Sequence, residues 1–405
     1  MTRFRKLIPV VVFLAACILA LWVLGPQPPA SGPLLQQVTA TSALITRLDR
    51  APVRVRLTVA PASPHAGFGA PPKVVTESAP TTRHALAVTG LSAHTTYRYR
   101  IEDLDGSDRT QREDGGEFRT APDDAVGPVR FATVGDTGRL PWWARNFGAL
   151  GLGRLRPVLE PLGGLGPQWD LARWIARQAP DFFLHLGDVI YPRGQMEGYE
   201  DGLFRPFDQV LRRTPVFPVV GNHDLMTDNG GPFNTVFALP RPADAPASAH
   251  YYTFTWGPLR VVVLNPVTDP TMPASPQGQF LERTLAAATE RWKLVAMHYP
   301  VFCSSKYSDD QGLIQDFWPV FARHKVDLVL SGHSHDYQRF AAKDGVVQVI
   351  VGAGGHSIYE IKPDPRLVRS SEEYSFLLVT VQGDKLTGEA WAQGGAQLDL
   401  FELRK

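Results

Sequence analysis

The sequence predicts an α/β domain preceded by a small all-β sandwich, and three observations carry that reading. From Leu34 to about Pro122, apolar residues alternate with period two in short runs broken by turn residues. Beyond Ala121-Pro122-Asp123-Asp124, strand-like apolar runs alternate with helical stripes, the pattern of an α/β domain. The chain's 405 residues, 44% of them hydrophobic, suffice for two cores. Charge and cysteine usage exclude other classes. Lys plus Arg number 41 against 40 Asp plus Glu, a formal net charge of +1 with no basic run, so no nucleic-acid-binding surface is expected. Two cysteines, Cys17 and Cys303, exclude a disulfide scaffold and a four-cysteine zinc site.

At the amino terminus, Arg3, Arg5 and Lys6 precede an uncharged run from Leu7 to Leu24, which Gly25-Pro26 ends. A helix of that length spans about 27 Å, just enough for a bilayer core. Basic charge ahead of the run keeps the start of the chain cytoplasmic and sends the rest outward. The run is longer than the apolar stretch of a cleaved signal peptide. Leu14-Ala15-Ala16-Cys17 resembles a bacterial lipoprotein box, although apolar Ile18 to Leu24 follow it. An uncleaved membrane anchor within residues 1–25 is the preferred reading. All three alternatives put the bulk of the chain outside the cytoplasm, whether periplasmic, secreted or at the cell surface. Residues 26–33, Pro-Gln-Pro-Pro-Ala-Ser-Gly-Pro, form a stiff linker.

The sandwich is expected over residues 34–122. Val53 to Val59 alternates with period two, Thr96 to Ile101 does so again, and Phe118-Arg119-Thr120 closes the unit. Gly90-Leu91 followed by Thr96-Tyr97-Arg98-Tyr99 resembles a fibronectin type III module, whose tyrosine closes a corner against backbone. His65, His84 and His94 are scattered and read as surface or turn residues.

In the α/β part, residues 127–405, helices are expected from Trp169 to Ala179, from Ser275-Pro276 onward, and through Leu313, Phe317, Val320 and Phe321. Pro319 within the last stripe predicts a kink or an early break. The residues just beyond the apolar runs are more informative. Val129–Val134 leads into Gly135-Asp136-Thr137-Gly138, and Phe182–Leu186 into Gly187-Asp188-Val189-Ile190-Tyr191. Val216–Val220 leads into Gly221-Asn222-His223-Asp224, Leu294–Met297 into His298, and Leu328–Ser331 into Gly332-His333-Ser334-His335. Five buried strands thus deliver polar residues at their carboxyl ends, the edge where α/β sheets assemble sites. Carboxylate, phenol, amide oxygen and imidazole are ligands for hard or borderline cations. Seven candidates, Asp136, Asp188, Tyr191, Asn222, His298, His333 and His335, exceed the four that one tetrahedral zinc takes. They suit two ions about 3.5–4 Å apart that clamp a phosphoryl displacement, with Asp188 as the natural bridge.

This order of motifs resembles the metallophosphoesterases, and more narrowly the purple acid phosphatase family, whose pattern is GDxG, GDxxY, GNH(D/E), a lone His after a strand, then GHxH. The resemblance implies a metallophosphoesterase β-sandwich flanked by helices. It implies Fe(III) held by Asp136, Asp188, Tyr191 and His335, and a divalent Fe, Zn or Mn held by Asp188, Asn222, His298 and His333. The implied activity is phosphomonoester hydrolysis by metal-bound hydroxide on a small-molecule phosphate ester. Phosphodiester or nucleotide hydrolysis is the alternative, and a non-catalytic surface-binding protein is the rival from another class. His223 resembles the family's phosphate-contacting or proton-donating histidine, with Asn222 also a substrate contact and Asp224 expected to orient the His223 imidazole.

One departure stands out. Related enzymes place another histidine in the loop after the lone metal His, whereas Tyr299–Asp310 contains none. Lys306, Tyr307 and His356 are the candidate substitutes, with His356 also a possible substrate contact. The residues between Gly138 and Trp169, rich in Gly, Trp and Leu, are expected to form either an apolar flap or a loop packed on the surface. Cys303 is read as a small packed thiol, and His185 as a core or supporting residue.

Overall fold

The computed structural model describes residues 30–62, 71–123, 127–140, 166–246 and 248–405. The apolar run at 7–24, Cys17, His65 and most of the segment after Gly138 lie outside the described residues. Among the described residues, no helix is long and apolar enough to cross a membrane.

The first body is built on one long strand. Its strands are β1 (Leu34–Gln36), β2 (Ser42–Pro61), β3 (Lys73–Thr76), β4 (Thr81–Thr89), β5 (Thr96–Leu104) and β6 (Thr110–Arg119). The first half of β2 lies between β1 and β4, and after a register shift between Leu48 and Val53 its second half lies between β3 and β5. Alternation has the consequence expected of it: Val55, Leu57 and Val59 are buried with Tyr97, Tyr99 and Ile101, while Arg56 and Thr58 between them are not. Tyr97 Oη accepts the Ser92 N–H at 2.8 Å, closing a corner against backbone. His84 departs from expectation. It is buried, with Nδ1 against Glu77 and Nε2 3.1 Å from Asp49, and the buried Arg47 bridges Asp49 and Asp103 beside it.

The second body is two packed sheets. One has the order β19-β18-β17-β7-β8-β9, with β7 (Val129–Val134), β8 (Phe182–His185) and β9 (Val216–Pro218) parallel. Its remaining strands are β17 (Ser375–Gln382), β18 (Lys385–Ala392) and β19 (Gln397–Arg404). The other runs β10-β11-β12-β13-β15-β14-β16. There β11 (Leu259–Leu264), β12 (Trp292–Met297), β13 (Leu328–Ser331) and β15 (Val347–Val351) are parallel. Antiparallel β10 (Tyr252–Trp256), β14 (Tyr337–Phe340) and β16 (Leu367–Ser371) complete it.

Both faces of the second sheet are buried, which is why its strands read as continuous apolar runs. Trp292, Leu294 and Ala296 face the core between the sheets, whereas Val295 and Met297 pack on the opposite face. That opposite face is covered by α4 (Pro276–Ala287), α5 (Gln311–Asp316) and α6 (Trp318–Arg323). The first sheet carries α1 (Pro167–Gln178), through Leu171, Ala172 and Ile175, and the short α2 (Asp208–Leu211) and α3 (Gly231–Val236) come after it in the chain. Ser275 caps α4 by accepting the Gly278 N–H at 3.0 Å. The expected break appears between α5 and α6, where Pro319 stands in the first turn of α6 and forgoes no intrahelical bond.

Hydrogen bonds join the two bodies. The Gln36 amide accepts from Ala238 N–H at 2.8 Å and donates to the Val236 carbonyl at 3.1 Å. Tyr99 Oη donates to the Arg212 carbonyl at 2.8 Å, and Arg212 itself donates to Asp114 and to the Gly115 carbonyl.

Candidate metal centre

Five strand ends meet at one edge of the two sheets: those of β7, β8 and β9 from one, and of β12 and β13 from the other. The loop beyond each strand is tightly built. Asp136, Asp188 and His333 all adopt left-handed backbone conformations, with φ of 59°, 52° and 67°. Such conformations cost about 1–2 kcal/mol each for residues with a Cβ. Two glycines let the loops close on one another. A Cβ at Gly138 would lie 1.8 Å from the Val189 carbonyl oxygen, and one at Gly221 would lie 2.2 Å from Asp188 Oδ1. Gly138 therefore offers no side chain but lets the Tyr191 loop pack against it, with the Tyr191 N–H donating to its carbonyl at 3.1 Å.

The side chains converge. Tyr191 Oη lies 2.8 Å from Asp136 Oδ1, 2.8 Å from Asp188 Oδ2 and 3.0 Å from His335 Nε2. Asp188 Oδ2 is also 3.4 Å from His298 Nε2, which in turn lies 3.3 Å from Asn222 Oδ1. One carboxylate oxygen thus sits between the Tyr191–Asp136–His335 group and the His298–Asn222 group. The His333 ring centroid is 5.1 Å from that of His298. Asp136, Asp188 and His298 can each offer a ligand atom within 4.8 Å of the others, and all three are buried.

Supporting bonds aim the rings. His298 donates from Nδ1 to the Leu186 carbonyl at 2.8 Å, and His335 Nδ1 is hydrogen-bonded to Ser357 Oγ at 2.8 Å, so both Nε2 atoms face the centre. His185 is buried and its Nε2 bonds Thr137 Oγ1 at 2.8 Å, bracing the first motif from within.

Electrostatics says what this arrangement lacks. Two carboxylate charges about 4–5 Å apart repel by roughly 3–4 kcal/mol at an effective dielectric constant near 20. Among the described residues, no Lys or Arg lies within ion-pair distance of Asp136 or Asp188; their only such partners are histidines. Tyr191 carries one phenolic proton and cannot donate it to two carboxylates at once. Burial and the two carboxylates push its phenol well above its ordinary value. Burial alone would lower His298, but Asp188 beside it raises it to about 9. The Tyr191 phenol and His298 thus keep protons that a bound cation would displace, while burial pushes His333 down to about 2. Cations among these oxygens and nitrogens would offset the repulsion and displace those protons, so the donor set fits metal ions.

His223 and His356 border the same centre. The Tyr191 ring is stacked by His356 at 3.8 Å and approached by His223 at 4.4 Å. The expectation for Asp224 is corrected. His223 Nδ1 bonds the Pro192 carbonyl at 2.5 Å, not Asp224. Asp224 is fully buried and accepts the Val189 N–H at 2.8 Å and the Gly221 N–H at 2.9 Å, tying the second motif to the third. Burial, with Asp188 nearby, pushes its carboxyl up to about 7. Ser357 and Tyr359 escaped the sequence reading. The glycine-rich Val351–Gly355 run marks their loop, but no residue pattern singles them out.

The family comparison agrees with this geometry. Residues 129–337 match the family model described as calcineurin-like phosphoesterase. The chain belongs to the calcineurin-like phosphoesterase family. Among its relatives is the human tartrate-resistant acid phosphatase type 5, 26% identical over an alignment of 257 residues that covers 57% of this chain and 74% of the human one. Another is purple acid phosphatase 22 of Arabidopsis thaliana, 25% identical over 291 residues, covering 67% of this chain and 58% of that protein. The fold resembles that of the purple acid phosphatase PPD1 from yellow lupin seeds, with a TM-score of 0.77 at 17% identity. That likeness covers 93% of this chain and 74% of the lupin one, so it takes in the β-sandwich as well as the phosphoesterase domain. The calcineurin-like membership makes the chain a metal-dependent phosphoesterase with purple acid phosphatase relatives.

Proposed function

We infer that the protein is a two-metal phosphomonoesterase of the purple acid phosphatase kind. The observation that carries this reading is Tyr191 Oη, held 2.8 Å from each of two buried carboxylates that, among the described residues, have no Lys or Arg partner. Asp136, Asp188, Tyr191 and His335 would hold a trivalent iron, because a phenol gives up its proton most readily to a trivalent cation. Asp188, Asn222, His298 and His333 would hold a divalent Fe, Zn or Mn. Ions held there would supply Lewis-acid polarisation of the phosphoryl oxygens and would lower the pKa of a water toward neutrality.

The chain's own residues do the rest. Asp188, fixed by the His223 N–H donating to its Oδ1 at 2.8 Å, keeps one oxygen between the two groups of donors. His223 is half-buried at the rim, and its Nδ1 is engaged by Pro192, which leaves Nε2 to contact a phosphate oxygen or a departing alcohol. His356 lies flat against Tyr191, a position from which it would contact a bound ester. The run at 7–24 supports an extracytoplasmic, membrane-anchored location.

The test is an assay of metal-replete protein on phosphomonoesters, phosphodiesters and nucleotides from pH 4 to 9, with metal analysis and a visible spectrum. Faster turnover of monoesters and a tyrosinate-to-iron absorption band are expected. Absence of turnover on every ester would overturn the reading.

A further inference from the structure

We propose that Lys306, held by Tyr307 and Tyr359, is the specificity element that selects phosphomonoester dianions over diesters at this centre. The proposal rests on the phosphoesterase reading and deepens it.

The loop after His298 is fastened to the last motif before it reaches Lys306. Ser305 Oγ bonds Ser334 Oγ, which lies between His333 and His335, and Ser334 in turn donates to Asp336. Ser304 N–H donates to Gln338 Oε1 at 2.9 Å, and Gln348 holds the backbone of Val301 and Phe302. Ser305 is buried and Lys306 is exposed, so the chain emerges at this point directly beside the site.

Two aromatic rings then connect Lys306 to the centre. Tyr307 stacks on His333 with centroids 4.1 Å apart and planes 18° apart, and Tyr359 stacks on His335 at 4.2 Å and 11°. The Lys306 ammonium donates to Tyr359 Oη at 3.2 Å and sits 4.6 Å from the Tyr359 ring and 5.4 Å from that of Tyr307. It is one ring removed from each of two site histidines. Among the described residues, no carboxylate lies within ion-pair distance of it. Contact with the two ring faces holds the cation at the rim without neutralising it.

A phosphate diester carries one negative charge and a second organic group; a monoester carries close to two charges above pH 6. The two-metal centre addresses the phosphoryl group common to both. An unneutralised ammonium at the rim rewards the second charge and meets an organic substituent in the diester.

The experiment compares wild type, Lys306→Met, Lys306→Arg and Tyr359→Phe on 4-nitrophenyl phosphate and bis(4-nitrophenyl) phosphate. Metal content and the binding of inorganic phosphate by equilibrium dialysis are measured alongside. For Lys306→Met, kcat/KM on the monoester should fall about tenfold, mostly through KM, while the diester changes less than twofold. The monoester loss should be larger at pH 7.5 than at pH 5, phosphate binding should weaken in parallel, and Lys306→Arg should recover most of both. Tyr359→Phe should produce a smaller loss of the same kind. Equal losses on the two esters, or unchanged phosphate affinity in Lys306→Met, would overturn the proposal. Wild-type protein that turns over neither ester would instead refute the phosphatase reading, and the phosphate-binding arm would then decide the role of Lys306 by itself.

Discussion

Both bodies of this chain bury a knot of carboxylates and histidine, and the two knots differ in how their charge is met. In the sandwich, Asp49 and Asp103 each meet the Arg47 guanidinium, at 2.7 and 2.5 Å, and His84 lies between Asp49 and Glu77. Acids and bases there close on one another. At the sheet edge, Asp136 and Asp188 face a phenol and several imidazoles but no Lys or Arg among the described residues. Buried polar residues alone do not mark a functional site. A cluster whose carboxylates meet a guanidinium holds a fold together, whereas one that meets none is suited to a cation.

The sharpest way to break the comparison is Asp188→Asn. It removes the oxygen shared by both groups of donors, so metal stoichiometry should fall and kcat should drop by about a thousandfold or more, as expected when an electrostatic centre is dismantled. Retention of both ions at wild-type levels would contradict the shared role. His223→Ala comes next. A rim histidine that binds phosphate or donates a proton contributes about 10²–10⁴-fold, and this change should lower kcat while elemental analysis still finds the metals. Tyr191→Phe should abolish the visible absorption band of iron-loaded protein, while a divalent ion remains bound.

Asp224→Asn moves the comparison from activity to stability. Asp224 serves two buried backbone N–H groups, and an amide oxygen can replace only part of that, at a cost of about 1–3 kcal/mol. A lower thermal midpoint is expected, measurable by calorimetry. The smallest effect belongs to the sandwich. Burial opposes the charged form of His84, but hydrogen bonds to Asp49 and Glu77 outweigh it and raise its pKa above the ordinary 6.5. The stability this supplies is fully present below pH 6.5 and fades as pH rises through the raised value. The midpoint difference between wild type and His84→Gln should therefore be largest near pH 6 and shrink above it, with phosphatase activity unchanged.

The five strand-end motifs were legible because each is local: an apolar run, a turn and a polar residue lie within ten positions. The Pro319 break and the helix start at Ser275-Pro276 were legible for the same reason. His84 was not, because its burial depends on Asp49 and Arg47, brought to it by the pairing of β2 with β4. Asp224 misled by adjacency. It comes directly after His223 in sequence, but the tight turn sends its side chain inward to the Val189 and Gly221 backbone instead. Ser357 and Tyr359 lie in an irregular loop, where spacing carries no periodic signal, and only the packing of that loop on His335 reveals them.

The measurement that bears most directly on the uneven charge balance is calorimetric titration of chelator-stripped protein with metal, read together with elemental analysis. Two ions bound per chain, with proton release as Tyr191 and His298 give up the protons they hold in the bare site, would agree with a centre built for cations. A folded, hydrolytically active chain that binds no ion, or that binds its metal without releasing protons, would contradict it.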